Sequence, residues 1–568
     1  MLSKFFSLLI ALVCGLTSVA QTYPLLDHPP IKIPVFLSGN FGEIRSNHFH
    51  TGLDIKTRGS EGYNLYAVWP GRVSRIKVSP YGYGKALYIT HPNGYTTVYA
   101  HLKRFSPEIE AFVKQEQYRK KSYAIEIFPS ADQFKFVSGD KVALSGNSGS
   151  SQGPHLHFEI RETKTEKPVN PQLFGIEVND KVKPSIYGVK IESKSNHGGV
   201  NKKNYAYYGI GGVHGDYILN TGVVKAFGPT GIYLHTIDKY SDVPNSNGTY
   251  NISMLVNDTL VYSMELNKLD FATKRFINNH IDYRLFKQKR KKYQKCFVEG
   301  YNELDLFPNL VNKGIVDIEH GIKYDFKIYA SDLKGNTSEL NFSIIGDSSA
   351  IKPASEINSE GFHIAYNKDK EINLPMAKVH FPRNTFYTTQ YINVSSKPYD
   401  KTLTPIYSIG NSTIPIHGYF DIVINTDVDN TKGLFLATLN DNKTVIGSDF
   451  IKKTNEQGFW FKTRSLGDYA LMKDTVAPTI KPINYYFNKN YKNGQALRFT
   501  FVEKLTGINS YNLFIDGEWV LLEYDAKRKS FIYRCDGEKL SKGVHKFEFI
   551  LEDGVKNQSV YSGQINFI

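Results

Sequence analysis

Three stretches far apart in the chain carry side chains that make chemical sense only if folding brings them to one point. They are His50-Thr-Gly-Leu-Asp54, Tyr99-Ala-His101-Leu102 and Gly153-Pro-His155-Leu-His157. The first and third offer two imidazoles and a carboxylate at spacings that can face one cation. The second and third leave two further imidazoles beside it. On a strand, His155 and His157 share one face and Leu156 points to the other, into a core. Gly153-Pro154 suits the approach to such a strand. His50 and Asp54 are four apart with Gly52 between them, so we expect a strand end turning into a loop, both side chains aimed at one point. Each piece alone is weak evidence. Together they specify imidazole and carboxylate donors of the kind zinc accepts, and a catalytic zinc site takes three protein ligands and a water.

The stretch that holds these pieces, 21–176, reads as short strands at Asn64–Val68, Val73–Val78, Ala86–His91, Thr96–His101, Val142–Ser145 and His155–Ile160. Turn signals such as Pro92-Asn-Gly and Ser138-Gly-Asp separate them. One helix is expected after Ser106, a good N-cap, with Pro107 at its first position. Its apolar stripe is Ile109, Phe112 and Val113. It is either a lid on the cleft or a packed surface insertion.

At residues 41–160 the chain resembles the M23 family of zinc peptidases, the lysostaphin-like or LytM-type enzymes that cut peptidoglycan peptides. The likeness rests on His50-x-Gly52-x-Asp54, on His91-Pro-Asn-Gly94 leading to Tyr99-Ala-His101-Leu102, on Gly139-Asp-Lys-Val142 and on Gly153-Pro-His155-Leu-His157-Phe-Glu159. The resemblance implies that one Zn2+ per chain is held by His50, Asp54 and His157, and that His101 and His155 are catalytic without binding metal. His101 and His155 stand 54 positions apart, which departs from the family's spacing, and the helical excursion fills much of that gap. The resemblance covers about a quarter of the chain. His48 lacks the Gly52 and Asp54 spacing and is set aside, and His91 is read as structural. Glu159 shares the face of His155 and His157, either supporting them or standing as a surface or groove carboxylate.

A chain of 568 residues exceeds one core and suggests three to five domains. Aromatics at 14%, with 38 Tyr and 36 Phe, favour strands, so a mainly β protein is expected. Residues 1–20 read as a signal peptide: Lys4, the apolar run Phe5–Val13, then Ser18-Val19-Ala20. A lipoprotein acylated at Cys14 is the lesser reading. Past residue 176, Asp180-Lys-Val-Lys-Pro matches Asp474-Thr-Val-Ala-Pro, and Asp332-Leu-Lys-Gly-Asn336 matches Asp553-Gly-Val-Lys-Asn557. Two immunoglobulin-like β-sandwiches are therefore expected, at 177–346 (enlarged) and 474–568, with a linker and a further β-rich domain at 347–473.

Export of a catalytic domain of this kind places the protein in the periplasm, cell envelope or surface of a bacterium. The function expected is a zinc metalloendopeptidase acting on peptidoglycan stem peptides or cross-links. The alternative is a LytM-type regulator, or an envelope scaffold or adhesion protein, acting on other hydrolases or protein partners. Net charge +14, or +13 without Lys4, favours polyanionic surroundings. The sandwich modules are candidates for an envelope protein or polyanionic wall partner; no nucleic-acid partner and no membrane span after signal cleavage are expected. The basic run Lys287–Lys295 reads chiefly as a solvated face. Cys296 and Cys535 are expected as free thiols, with a long-range disulfide the lesser option. Gly39–Asn47, just before His50, is a candidate for occluding the cleft.

Overall fold

Residues 23–568, apart from 242, 357–359, 427, 429–430, 456–457 and 488, are described by a computed structural model. The expected signal segment, and Cys14 with it, lies outside the described residues. The chain is mainly β, as its composition leads one to expect. Eight strands matter for the site: β1 (Leu37–Gly39), β2 (Leu53–Lys56), β3 (Gly71–Val78), β4 (Lys85–Thr90), β5 (Tyr95–Ala100), β6 (Ile125–Ile127), β7 (Lys141–Leu144) and β8 (His155–Glu162). All but β7 form one antiparallel sheet in the order β1–β2–β8–β5–β4–β3–β6. The alternation on β8 is as expected: Leu156 and Phe158 are fully buried in the main core, on the face away from the histidines.

The register of β8 positions the chemistry. His157 lies opposite Asp54 on β2 and opposite Ala100 on β5, one residue before His101. Gly52 is needed where β2 begins. A Cβ there would lie 2.4 Å from the Phe158 carbonyl oxygen and 2.8 Å from Glu159 Cγ, too close for any side chain.

The helix α1 (Pro107–Lys120) buries Ile109 and Val113 and packs Phe112 against Phe134. It starts as expected, with Ser106 at the N-cap and Pro107 as its first residue, but the Ser106 side chain makes no capping bond. Instead Glu110 turns back, accepts the Phe105 N–H at 2.9 Å and pairs with Lys85 at 2.9 Å. A carboxylate in the first turn is favoured by the helix dipole, and here it also ties down the residue that precedes the cap.

Past residue 176, the long strand Val224–Ile237 pairs antiparallel with Ser185–Ser193 at one end and parallel with Thr337–Gly346 at the other. Its buried residues join those of the first segment in one continuous apolar cluster. Residues 370–473 form two five-stranded sheets with their own core. The last stretch packs a four-stranded sheet on a five-stranded one around Phe499, Phe531 and Phe549. It also folds back onto α1, where Tyr118 meets Trp519 edge to face at 5.6 Å and Lys114 pairs with Asp536 at 2.7 Å. The outer face of α1 is thus a docking face. Cys296 and Cys535 are buried free thiols. No helix among the described residues is long and apolar enough to cross a membrane.

Because Leu156 anchors the strand that carries both histidines, Leu156→Ala should destabilise this domain by about 2–5 kcal/mol. Denaturant unfolding monitored on that domain would measure it. A loss under about 1 kcal/mol would mean that β8 is held chiefly by its hydrogen bonds.

Candidate metal centre

His50, Asp54 and His157 meet as a buried cluster whose ligand atoms all lie within 4.8 Å of one another. Asp54 Oδ1 stands 3.0 Å from His50 Nε2 and 2.8 Å from His157 Nδ1, and those two nitrogens are 3.0 Å apart. A tetrahedron with bonds of about 2.0–2.1 Å has edges of about 3.3–3.4 Å. The donors therefore need to open by only a few tenths of an ångström to hold zinc. Two nitrogens and one carboxylate oxygen, with a fourth side open, fit a catalytic zinc better than a hard oxygen-seeking cation.

Each donor is aimed by a specific partner. His50 Nδ1 donates to the Asn40 carbonyl at 2.7 Å, which leaves the Nε2 lone pair facing the cluster. His157 Nε2 bonds Glu159 Oε1 at 2.8 Å, which turns Nδ1 inward. A carboxylate on the far nitrogen of a metal-binding histidine fixes its orientation and raises its basicity. Arg45 Nη2 takes Asp54 Oδ2 at 2.6 Å, leaving Oδ1 for the cluster, and Glu43 holds Arg45 in turn at 3.2 Å.

Glu159 is wholly buried, and that choice, open in the sequence, is settled by what surrounds it. It bonds Arg161 Nε at 2.7 Å and accepts the Thr51 hydroxyl at 2.6 Å and the Tyr83 phenol. Burial would raise its pKa, but Arg161 and His157 hold it well below the carboxylate range. Burial and the Glu159 charge push the Tyr83 phenol up, so it stays a donor. Burial likewise works against the charge on Asp54, and the three imidazoles around it overcome this and keep its pKa low. Burial drives His50 toward the neutral form. On His157 burial is outweighed by Asp54 and Glu159, and its pKa is raised.

His101 and His155 flank the cluster with their rings 4.8 Å apart. His101 Nδ1 donates to the Ser148 carbonyl at 2.9 Å, and His155 Nδ1 donates to the Gly153 carbonyl at 2.8 Å. Both Nε2 lone pairs are thereby free, and His155 Nε2 lies 3.3 Å from Asp54 Oδ1. His101 has φ of 59°, the left-handed region that strains most side chains, and its N–H is tied to the Tyr83 carbonyl at 2.9 Å. Burial, then the neighbouring His157 and His155, lower its pKa to about 3, so its ring is neutral. His48 is exposed and bonds Ser46. His91 is buried between the Pro70 carbonyl and the Thr97 hydroxyl, on the Trp69 side of the sheet.

Other domains reach this centre from two sides. The Asn40 side chain exchanges two hydrogen bonds with the Gly248 backbone, at 2.7 and 2.9 Å, and Lys292 pairs with Glu43 at 3.2 Å. The Gly39–Asn47 segment is thus a support for two of the donors. From the C-terminal domain, Lys527 Nζ bonds the Asn147 carbonyl and, at 3.1 Å, that of Ser151. A groove of about 830 Å³ runs there, between the Asn147–Gly149 loop, α1 and Glu523–Arg528. Sequence reasoning did not find Asn40, Arg45, Tyr83 or Lys527. A backbone carbonyl leaves no trace in residue type, and the others belong to no short motif.

Residues 48–118 match the family model described as Peptidase family M23, and residues 362–474 match a Zu5-like domain. The chain is 33% identical over 122 residues to the DD-carboxypeptidase/endopeptidase Mpg of Neisseria meningitidis, covering 22% of each chain. It is 32% identical over 111 residues to the peptidoglycan DD-endopeptidase ShyB of Vibrio cholerae, covering 20% of each. Among solved structures it is similar to the catalytic domain of the M23 protein EnpA from Enterococcus faecalis, at 24% identity and a TM-score of 0.20, over 26% of this chain and 98% of that one. The chain spans about a fifth of the length of the curated relatives it matches.

Glu159→Gln should weaken zinc binding about 10–100-fold, because an amide cannot polarise His157 as the carboxylate does. Competition against a colorimetric zinc chelator would read this directly. Unchanged affinity would show that Glu159 serves only to neutralise Arg161.

Proposed function

The N-terminal domain belongs to peptidase family M23, and from that premise we propose that the protein is an exported zinc endopeptidase that hydrolyses peptide bonds in peptidoglycan stem peptides or cross-links. The observation that carries this reading is the convergence of His50 Nε2, Asp54 Oδ1 and His157 Nδ1 beside two more imidazoles with free Nε2 lone pairs. The name of one relative, a peptidoglycan DD-endopeptidase, supports the same substrate class, and that of another, a DD-carboxypeptidase/endopeptidase, supports peptide-bond cleavage.

Zinc in such a site supplies Lewis acidity, which acidifies a water and polarises a carbonyl. The residues of this chain do the rest. His50, Asp54 and His157 would hold the ion, with Glu159 and the Asn40 carbonyl fixing the two rings. His155, the less buried of the remaining pair, is placed to accept the proton of the attacking water through Nε2 and pass it to the leaving amine. His101, kept neutral by burial, accepts a hydrogen bond from that water at Nε2 and orients it. Lys103, Arg104 and Lys527 line the groove beyond His101, a suitable lining for the carboxylates of stem peptides. The domains at 177–346 and 474–568 read as immunoglobulin-like modules that buttress the site and present surface to the envelope.

The test is muropeptide release from purified peptidoglycan by the mature chain starting at Gln21. Release should stop on chelation and return with zinc. His155→Ala should keep one zinc per chain and lose activity at least about 100-fold. A zinc-loaded protein that releases nothing would instead support the regulator reading.

A further inference from the structure

Away from the cleft, three aspartates from three separate stretches converge where the peptidase domain hands over to the domain that follows. Asp180 lies in the connecting segment, Asp238 just past the strand Val224–Ile237, and Asp332 just past the strand Lys323–Ser331. Their exposures are 8%, 1% and 5%, and their carboxylates offer oxygens within 4.8 Å of one another. Buried charge is stable only when paired. The ionisable groups acting on Asp238 are Asp180 and Asp332, of its own sign.

The hydrogen bonding shows what is missing. Asp238 Oδ1 and Asp180 Oδ2 are buried with no partner. So are both amide atoms of Asn247, a 4% exposed residue whose backbone pairs with that of Asp238 in both directions. The repeat supplies an internal control. Asn336 Nδ2 bridges the Asp180 carbonyl at 3.3 Å and Asp332 Oδ2 at 2.6 Å; Asn557 Nδ2 bridges the Asp474 carbonyl at 3.1 Å and Asp553 Oδ2 at 2.8 Å. The second copy also gathers three acids, Asp474, Glu503 and Asp553. There Thr506 donates its hydroxyl to Asp474 Oδ2, and the N–H groups of Leu505 and Thr506 reach Glu503. In the first copy backbone N–H groups of Val182 and Ser241 act on Asp180 and that of Lys239 acts on Asp238, but Asp180 Oδ2 and Asp238 Oδ1 keep no partner and no side chain takes the place of the Thr506 hydroxyl.

We propose that Asp180, Asp238 and Asp332 form a Ca2+ site at this junction. The donors are all oxygen and three are carboxylates, which suits a hard divalent ion and not zinc; Asn247, whose backbone pairs with that of Asp238 and whose amide is buried without a partner, offers a further oxygen. The ion would fix the edge that grips the catalytic domain. Tyr240, two residues past Asp238, accepts from Asn40 Nδ2 at 3.3 Å, and Gly248, next to Asn247, holds the same amide. Asn40 is the residue whose carbonyl orients His50. The site therefore acts on position and takes no part in the chemistry.

The test uses the full mature chain, stripped of divalent ions and reloaded with one zinc. Millimolar Ca2+ should raise its Tm by about 3 °C or more. Tb3+ should bind with luminescence sensitised by neighbouring tyrosines, and Ca2+ should displace it. Asp238→Asn, which removes one of the crowded charges at constant volume, should fold and lose both responses, while Glu503→Gln keeps them. If Asp238→Asn does not fold, Asp180→Asn takes its place, and the wild-type Tb3+ titration stands alone as a readout. No Tm change and no Tb3+ signal in the wild type would overturn the proposal, as would full responses in both aspartate variants. Equal responses to Mg2+ and Ca2+ would overturn the assignment to calcium. None of these readouts depends on peptidase activity.

Discussion

The centre depends on one pairing, His157 on β8 directly opposite Asp54 on β2. Side chains alternate along a strand with a period of two, so a slip of one residue would send His155 and His157 into the core and Leu156 to the cleft. The alternation of apolar and polar side chains on β8 forbids that slip, since Leu156 and Phe158 fill the core on one face while His157 and Glu159 meet polar partners on the other. Register, set by apolar packing, thereby becomes metal geometry. His50 and His101 are attached to the same two neighbouring strands, one before β2 and one after β5, so the pairing places them as well.

Around that pairing the protein handles buried charge in layers. Three imidazoles surround Asp54, and Arg45 caps its outer oxygen. Glu159 fixes His157 and is itself neutralised by Arg161, which also reaches Glu166 at 3.1 Å. These supports do not all come from the catalytic domain. Gly248 and Lys292 hold the segment behind His50 and Asp54, and Lys527 holds the loop behind His101 and His155. A site built in this way has a precision that depends on domain docking, which gives the later domains a structural role.

Much of the centre was legible because its chemistry uses rare residues at short spacings. His50-x-Gly52-x-Asp54 and His155-x-His157 combine the right donors with strand periodicity, and Gly52 proves to lie where no side chain fits. The strands around them followed from aromatic and β-branched runs between turn signals. What the sequence concealed was carried by backbone or by long-range partners. The Asn40 and Ser148 carbonyls would be available from any residue type. Ser106 is the N-cap of α1, as its type suggests, but the turn of Glu110 back onto the Phe105 N–H and Lys85 left no mark in the spacing. The basic run Lys287–Lys295 looked uniform, yet Lys295 is buried against Glu299 at 2.6 Å and Lys292 reaches Glu43, while Lys287, Lys289, Arg290 and Lys291 are solvated. Charge runs do not reveal which members find partners hundreds of residues away.

The central claim is that one zinc is held by His50 Nε2, Asp54 Oδ1 and His157 Nδ1. Anomalous diffraction from crystals of the mature chain, collected on both sides of the zinc absorption edge, tests it most directly. The account predicts a single strong peak about 2.0–2.2 Å from those three atoms, with His101 and His155 beyond bonding distance. A peak ligated by His155 or His101 in place of one of the three, or no peak at this cluster in zinc-saturated crystals, would contradict it.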